Sequence, residues 1–518
     1  MKNILQKLIY AAPLALMLSS CDNGFEEMNV DPNKYSQVVP EYLFTRAQLD
    51  GVSTNYTGAA YLTIGQSMQH FATYKEVPAA GDKYFNFGYS QGSWSAYAGT
   101  AQGQGAVISI NQIIDAISTD PLAVNKLSAS RIWRAYIFHR LTDLYGDIPY
   151  FDAGKALADK NYGPKYDTQQ AIYADMLKEL EESIAAFDAS KATFANADLM
   201  YGGDITKWKK FAYSLMLRLG MRLTEVDNAG AKAWIEKAIA GGVIMEDADR
   251  AVIAYVDGSQ TLSRNFIANG LMATDYITPG GDNVEGGKLA KTLVDHLKTT
   301  SDPRLNVISI VWRPEGSTFV ADTATALQSG MPNAAFNSRP ANFNSFSEPN
   351  TATVLRYNSP LIVFGNAEVH LLLAEAAVRG WYSGTTAAVS YDNAVKAGMR
   401  QWSLFGAAGT ISDAKINAYL KANPYKGGSA AQQIEQIATE KWVSLFLEDE
   451  YEIFSNWRRT GYPALTPTNY PGNLTGGKIP TRFVVPDSEE TYNKVNFLEA
   501  RARQGGENTL SSKVWWDK

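Results

Sequence analysis

The sequence predicts a mainly α-helical protein, in which tetratricopeptide-like helix pairs form a scaffold and long irregular, aromatic-rich loops form a ligand-binding lobe. Several segments between residues 129 and 457 repeat apolar side chains at the helical period of about 3.6 residues. Two stretches, 70–105 and 255–355, lack this period and are rich in glycine, serine and aromatic residues. No full repeat consensus is visible, so the helix pairs are interpreted as a scaffold.

The first 20 residues have the pattern of a lipoprotein signal peptide. Lys2 and Lys7 form a short positive region, and an apolar stretch from Leu8 to Leu18 follows. This stretch is too short to span a bilayer as a stable helix and is typical of a secretory signal. It ends in Leu18-Ser19-Ser20-Cys21, which resembles a lipobox. We expect cleavage before Cys21 and acylation of its sulfur and its new amino group; the alternative is an ordinary signal beside an unrelated cysteine.

Residues 21–40 are predicted to form a lipidated polar tether, and residues 41–518 a single helical domain. Cys21 is the only cysteine, so no disulfide can form within the chain. Each buried CH₂ contributes roughly 0.8 kcal/mol to membrane binding, so three acyl chains would anchor the protein. The acidic residues that follow Cys21 resemble surface-export signals of Bacteroidetes lipoproteins, with a plain solvated tether as the alternative.

Two helix pairs are predicted in the first half of the domain. Apolar residues at the helical period mark residues 129–144 and 169–187, and Gly146 stops the first of these helices. A third helix runs from about residue 208 to 224, and an alanine-rich helix that contains Trp234 closes at Gly241-Gly242.

The second half of the domain repeats the pattern. Residues 367–378 are predicted to pair, across a turn at Gly380, with a helix that carries Tyr391 and Trp402. One long helix is then predicted from about Ala431 to Trp457.

The irregular stretches are where a ligand is expected to bind, with the lobe at approximately 255–355. Long irregular stretches are usually functional or disordered, and their aromatic content argues against disorder. Aromatic faces stack on the C–H groups of sugars, while polar side chains select hydroxyls. Trp94 and Tyr97 lie at helical spacing and also fit a core. The predicted ligand-binding residues are Tyr74, Tyr84, Phe85, Phe87, Trp94, Trp312 and Phe343.

Catalytic and cofactor motifs are not visible in the sequence. The four histidines show no zinc-binding spacing, and no nucleophile elbow, Walker A motif or dinucleotide fingerprint is present. The densest carboxylates, Glu448-Asp449-Glu450 with Glu452, are interpreted as a solvated or ion-paired helix end and not as a glycosidase pair. We therefore predict no catalytic residue and no cofactor, while a calcium site built from scattered oxygens is left open.

A net charge of −6 without a basic stripe argues against nucleic acid as a partner.

Several blocks, in order along nearly the whole chain, resemble the SusD/RagB family of Bacteroidetes, closest to its SusD-like branch. No single block is diagnostic, but their order together with the lipobox is specific. They are residues 25–33, 140–150 (RLTDLYGDIPY), 301–305 (SDPRL), 368–381 (EVHLLLAEAAVRGW), 440–442, 456–463 (NWRRTGYP) and 482–489. From the residues alone these blocks have mostly structural roles; Asp302 and Arg304, for example, fit a local turn or ion pair.

The resemblance implies a helical lipoprotein on the outer leaflet of the outer membrane, exposed at the cell surface. It implies that the protein captures oligosaccharides and delivers them to a TonB-dependent SusC-type transporter. Capture of peptides is the closest alternative, and a lipid-anchored glycoside hydrolase is a second one. The identity of the glycan is not readable from the sequence.

Overall fold

The computed structural model describes residues 39–76, 80–85, 91–99, 105–155, 160–281 and 283–517. The signal peptide, Cys21 and the tether up to residue 38 lie outside the described residues, as does Phe87. Residues Pro40–Lys518 form one compact unit.

Helices dominate the described part of the chain, which confirms the mainly α-helical fold. After α1 (Pro40–Ser53) a π-helical segment spans Tyr56–Gly65. The remaining helices are α2 (Ser95–Ala98), α3 (Ala106–Ile117), α4 (Val124–Tyr145), α5 (Gln169–Ala186), α6 (Ile205–Arg222), α7 (Asn228–Gly241), α8 (Phe266–Thr274), α9 (Lys291–Thr299), α10 (Leu305–Ile308), α11 (Asn366–Val378), α12 (Ala387–Arg400), α13 (Asp413–Ala422), α14 (Ala430–Ser444), α15 (Glu450–Thr460), α16 (Asp487–Tyr492) and α17 (Lys494–Arg503).

The predicted helix pairs pack against each other as expected: α4 with α5, α6 with α7, and α11 with α12. Their N-termini are capped by side chains that accept hydrogen bonds from the first turn. Thr168 caps α5, Asp204 caps α6, and Thr386 caps α12. Such caps satisfy backbone N–H groups that have no partner inside the helix, and they fix where each helix begins.

The single long helix predicted from about Ala431 to Trp457 is wrong. The chain instead forms two helices, α14 and α15, separated by a turn in which Leu447 adopts a left-handed φ of 61°. Asp449 then caps α15 by accepting a hydrogen bond from the backbone N–H of Glu452. Directly after the break, Asp449 is paired with Arg140 and Glu450 contacts His70.

A buried ionic network joins five helices at the centre of the scaffold. Arg218 of α6 donates hydrogen bonds of 2.9 and 2.5 Å to the two carboxylate oxygens of Glu368 of α11. Lys441 of α14 lies 2.6 Å from Glu452 of α15. Buried charges are tolerated only when they are paired. The network balances four cations with four carboxylates: Arg140, Asp143, Arg218, Arg222, Glu368, Lys441, Asp449 and Glu452.

The carboxylates at the start of α15 are therefore structural. Of the two predicted possibilities, a solvated or an ion-paired helix end, the ion-paired one is confirmed for Asp449 and Glu452, and all four side chains are buried. The predicted pairing of Asp302 with Arg304 is also confirmed, at 2.6 Å, and the same guanidinium binds Glu440 at 2.6 Å.

Glu448 gives a testable pH dependence. Burial, above all, raises the pKa of this carboxyl well above its usual value; nearby Arg250 lowers the pKa, and the neighbouring carboxylates of Asp449 and Glu368 raise it further. The folded state thus holds the proton more tightly than the unfolded chain, whose glutamate pKa is about 4.3. This contribution to stability is complete below the unfolded pKa and is lost as the pH rises towards the folded pKa. Glu448→Gln should therefore gain stability relative to the wild type between pH 4 and pH 8.

Urea unfolding at pH 4, 6 and 8 measures the difference between Glu448→Gln and the wild type. The exposed Glu236→Gln serves as the control, because its side chain is about half exposed in a helix-surface ion pair. A difference that stays constant from pH 4 to pH 8 would contradict the buried neutral carboxyl.

Short strands and a small second core build the loop-rich lobe. Three small antiparallel sheets are present among the described residues: β1 (Phe71–Thr73) with β3 (Gly287–Leu289), β2 (Ala251–Ile253) with β7 (Leu361–Phe364), and β5 (Thr318–Asp322) with β4 (Ser309–Glu315) and β6 (Glu348–Pro349). Pairing of Phe71 with Leu289 fastens the first irregular stretch to the second. Their shared core consists of Ala72, Tyr74, Ala290, Met331, Phe343 and Phe346.

None of the helices in the described ranges is long and apolar enough to cross a membrane.

Candidate functional site

A cleft of about 670 Å³ opens where α9 meets three sequence-remote loops, and we call it the loop cleft. The first loop carries Gln69, Asp82 and Tyr84, the second contains residues 332–334, and the third contains residues 466–474. Its size lies within the range of about 300–1,000 Å³ that is typical of small-molecule sites. It is lined by Gln69, Lys291, Thr292, Asp295, Pro332, Asn333, Ala334, Thr466, Pro467, Thr468, Asn469, Tyr470 and Pro471.

Asp82 fastens the first two loops together. One of its carboxylate oxygens accepts hydrogen bonds from the backbone N–H groups of Thr73, at 3.1 Å, and Ala334, at 3.0 Å. The preceding Gly81 lies so close to the π-helical segment that a Cβ atom would be 2.3 Å from the carbonyl oxygen of Thr63. Only glycine allows this approach. The loop at 80–85 is therefore held tightly against the scaffold.

The third loop, residues 466–474, is attached by hydrogen bonds to the first. Gln69 donates from its side-chain amide to the carbonyl oxygen of Thr466 at 2.6 Å. The hydroxyl of Tyr84 accepts from the backbone N–H of Thr468 at 3.2 Å, and the hydroxyl of Thr468 donates to the carbonyl oxygen of Asp82 at 2.5 Å. These contacts define the wall of the cleft that carries Tyr470.

Tyr470 is a positioned aromatic ring on this wall. The ammonium of Lys83 lies 5.4 Å from its ring centroid, and the ring of Phe85 meets it edge-on at 5.6 Å. Its hydroxyl donates a hydrogen bond to Glu76. Burial and the Glu76 carboxylate raise the pKa of Tyr470 to about 12, so the phenol is neutral. A ring restrained on several sides loses little conformational entropy when a ligand packs against it.

The side chains that line the loop cleft carry no net charge. Lys291 and Asp295 form an ion pair across one turn of α9. The side-chain carbonyl of Gln69 accepts from the hydroxyl of Thr292 at 2.6 Å, and Asn333 donates to the carbonyl oxygen of Phe71 at 2.8 Å. A neutral cleft with amides, hydroxyls and one aromatic ring suits a neutral polyhydroxylated ligand.

Three of the aromatic residues predicted to bind ligand are buried. Tyr74 and Phe343 pack edge-to-face at 5.0 Å in the small lobe core. Tyr84 is 1% exposed and adopts a left-handed φ of 56°, held by its hydrogen bonds to the third loop. None of these three rings lines the loop cleft. In this structure they shape the lobe and do not offer a face to solvent.

The other four predicted residues are dispersed. Phe85 is partly exposed and does not line the cleft, but its ring packs against Tyr470, which does. Trp312, on β4, is partly exposed but outside the cleft, and its indole donates to Glu348 at 2.8 Å. Trp94 packs against Tyr145 and Tyr97 in the helical scaffold, which agrees with the core position that its helical spacing with Tyr97 also fitted. Phe87 lies outside the described residues, so the joint aromatic platform stays a prediction.

Sequence reasoning missed Tyr470 and the third loop. The stretch from residue 462 to 477 is rich in Pro, Thr, Asn and Gly, a composition that marks a loop but not its partner. The one local signal of a ligand-binding residue in this stretch was the tyrosine between Asn469 and Pro471. Nothing local in the sequence shows that this loop returns to Gln69, almost 400 residues away.

The carboxylates considered for catalysis do not line this site. Glu448, Asp449, Glu450 and Glu452 are buried in the scaffold, and none of them lines the loop cleft. Within the part of the chain that the structure describes, no group of three or more His, Cys, Asp or Glu side chains is arranged to hold a metal ion.

Comparison with known proteins adds to this geometry. A SusD-like family model, described as "Starch-binding associating with outer membrane", matches residues 32–486. A solved structure of a chitin-binding protein is similar with a TM-score of 0.79 and 32% sequence identity, over 93% of this chain and all of the other.

A SusD-like protein of Bacteroidetes is similar with a TM-score of 0.80 and 26% identity, over 93% of this chain and 100% of that one. A SusD homolog from Bacteroides fragilis shares the fold, with a TM-score of 0.74 and 24% identity, at the same coverage. No match is found among curated protein sequences.

Proposed function

Because the chain belongs to the SusD-like family, whose members are described as starch-binding and associated with the outer membrane, we propose that it is a cell-surface glycan-binding lipoprotein. It captures oligosaccharides in the loop cleft and delivers them to a TonB-dependent SusC-type transporter. The observation that carries the proposal is the neutral loop cleft, in which Tyr470 stands among amide and hydroxyl groups.

The chemistry of the cleft fits weak and reversible capture. Stacking on one aromatic ring and a few hydrogen bonds give affinities in the micromolar to millimolar range, about −8 to −4 kcal/mol. Such affinity suits a protein that must release its cargo to a transporter. The 32% identical chitin-binding protein supports a glycan as ligand, and it indicates that chitin fragments should be tested beside starch fragments.

The membrane part of the proposal depends on Cys21. The family description places its members at the outer membrane, and no described helix could cross a bilayer. Acyl chains on Cys21 would supply the attachment, and the tether up to residue 40 would hold the helical body at the surface.

Binding without cleavage is the proposed activity. A glycosidase needs two carboxyl groups that flank the scissile bond, about 5–10 Å apart. Among the described residues that line the loop cleft, the single carboxylate is that of Asp295, and it is paired with Lys291. Peptide capture is the alternative that fits the same scaffold.

Tyr470→Ala is expected to weaken oligosaccharide binding about 10-fold, because it removes the positioned ring from the cleft. The measurement is calorimetric titration of the mature full chain in mild detergent with maltohexaose and chitohexaose. Trp312→Ala in the same assay tests an aromatic residue that the sequence predicts to bind ligand but that lies outside the loop cleft.

Tyr492→Ala is the matched control, since this tyrosine is 81% exposed and lies on α16, outside the cleft. Equal affinities for Tyr470→Ala and Tyr492→Ala would refute the loop cleft as the binding site. Release of reducing sugar from either oligosaccharide would favour the hydrolase alternative, and binding confined to peptides would favour peptide capture.

A further inference from the structure

A second open cleft lies on the helical side of the molecule, and we call it the helical cleft. Its volume is about 590 Å³, and α9, α12, α13, α14 and the connection between α13 and α14 surround it. The side chains used in the argument are those of His296, Tyr391, Tyr419, Lys426, Glu435 and Glu440.

The wall formed by the α13–α14 connection is fastened in place. Gln436 donates to the carbonyl oxygen of Pro424 at 3.1 Å and accepts from the backbone N–H of Lys426 at 2.9 Å. Gln433 donates to the carbonyl oxygen of Gly428 at 2.8 Å and accepts from the hydroxyl of Tyr425 at 2.7 Å. The helical cleft is thus preformed, as most small-molecule sites are.

The floor of this cleft holds polar groups without protein partners. Tyr419 is 6% exposed, and its hydroxyl makes no hydrogen bond with any residue that the structure describes. The imidazole of His296 lies edge-on to Trp442 and likewise makes no hydrogen bond within the described residues. Burial lowers the pKa of His296, so the ring is neutral and offers one donor and one acceptor. Buried polar groups are normally hydrogen-bonded, so the hydroxyl of the buried Tyr419 is open to a ligand. The half-buried imidazole of His296 is open to the same ligand.

Electrostatics favour a neutral ligand. The carboxylate of Glu440 is occupied by Arg304, at 2.6 and 3.0 Å, and by the hydroxyl of Ser444 at 2.7 Å. Lys426 and Glu435, which also line the cleft, have opposite charges. The floor therefore attracts neither an anion nor a cation strongly, while phenol, imidazole and amide groups match the hydroxyls of a sugar.

We propose that the helical cleft is a second carbohydrate subsite, which takes one or two neutral sugar rings through hydrogen bonds to Tyr419 and His296. This inference rests on the proposed function and deepens it, because one glycan long enough to reach both clefts would be held more strongly than one cleft allows. The loop cleft offers an aromatic ring, whereas the helical cleft offers mainly hydrogen bonds, since Tyr391 and Tyr419 are mostly buried.

The test uses the mature full chain with the loop cleft weakened by Tyr470→Ala, and ligand-observed saturation-transfer NMR with maltohexaose and chitohexaose. Residual binding is expected in this background. Adding Tyr419→Phe, which removes only the hydroxyl, should weaken the residual binding by about 3- to 10-fold. Thr439→Tyr, which places a ring in the cleft from α14, should abolish it. Tyr382→Phe removes a hydroxyl outside both clefts and should change nothing.

The outcomes separate the two proposals. If the wild type binds glycans but Tyr419→Phe and Thr439→Tyr behave like Tyr382→Phe, the second subsite is refuted and the proposed function stands. If the wild type binds neither oligosaccharide, both the second subsite and the proposed function are refuted. Binding of a mixed peptide pool that depends on Tyr419, without binding of glycans, would overturn the carbohydrate assignment.

Discussion

Replacing Arg218 by methionine is expected to lower the free energy of unfolding by about 3–5 kcal/mol, the usual cost of removing one partner from a buried ion pair. The guanidinium is 1% exposed, binds Glu368 through two hydrogen bonds, and lies 3.3 Å from Asp449. Methionine fills part of the space but leaves these carboxylates facing each other in the interior. The stability of a domain is typically 5–15 kcal/mol, so this single change would remove a large fraction of it.

The measurement is urea unfolding of the full chain, with the midpoint and the slope compared between variant and wild type. Lys232→Met is the matched control, since Lys232 and Glu236 form a helix-surface pair with both side chains 49% exposed. Exposed pairs of this kind contribute about 0.3–0.5 kcal/mol. A loss below about 1 kcal/mol for Arg218→Met would show that the network relaxes or admits water, and would contradict its role as the central connection of the scaffold.

Replacing Cys21 by serine is expected to move the protein entirely from the membrane to the soluble fraction. The chain has no other cysteine, so no second residue can be acylated through sulfur. One myristoyl chain gives only marginal binding, whereas several chains hold a protein for its lifetime, and the change is therefore all-or-none. Labelled palmitate, followed by membrane fractionation, measures the effect.

Asn33→Ser, a polar change in the same tether, should leave both labelling and fractionation unchanged. A wild-type protein that takes up no palmitate and is found soluble in the periplasm would refute the lipoprotein assignment. Glycan binding by Cys21→Ser should equal that of the wild type, because the loop cleft lies in the helical body.

The elements that were predictable from sequence are those with a local cause. The period of apolar residues lies within the sequence of each helix, and the capping residues Thr168 and Asp204 directly precede their helices. The break between α14 and α15 was not predictable in this way. Its apolar period continues across the turn, and the partners of the residues that follow it, Arg140 and His70, come from distant parts of the chain.

The candidate site was predictable as a region but not as a set of side chains. The two aromatic-rich stretches do meet, through the pairing of Phe71 with Leu289. Composition cannot tell which rings form the small core, as Tyr74 and Phe343 do, and which face a cleft. Tyr470 was missed because its neighbours in space come from distant parts of the chain.

The hydrogen bonds from Gln69 to Thr466 and from Thr468 to Tyr84 have a consequence for biosynthesis. They join residues 397 and 384 positions apart, so a chain emerging from its N-terminus lacks one wall of the loop cleft until nearly all of it has been made. A truncated chain can form the early helices but has no complete loop cleft. Any binding in this cleft would thereby be a property of finished molecules only.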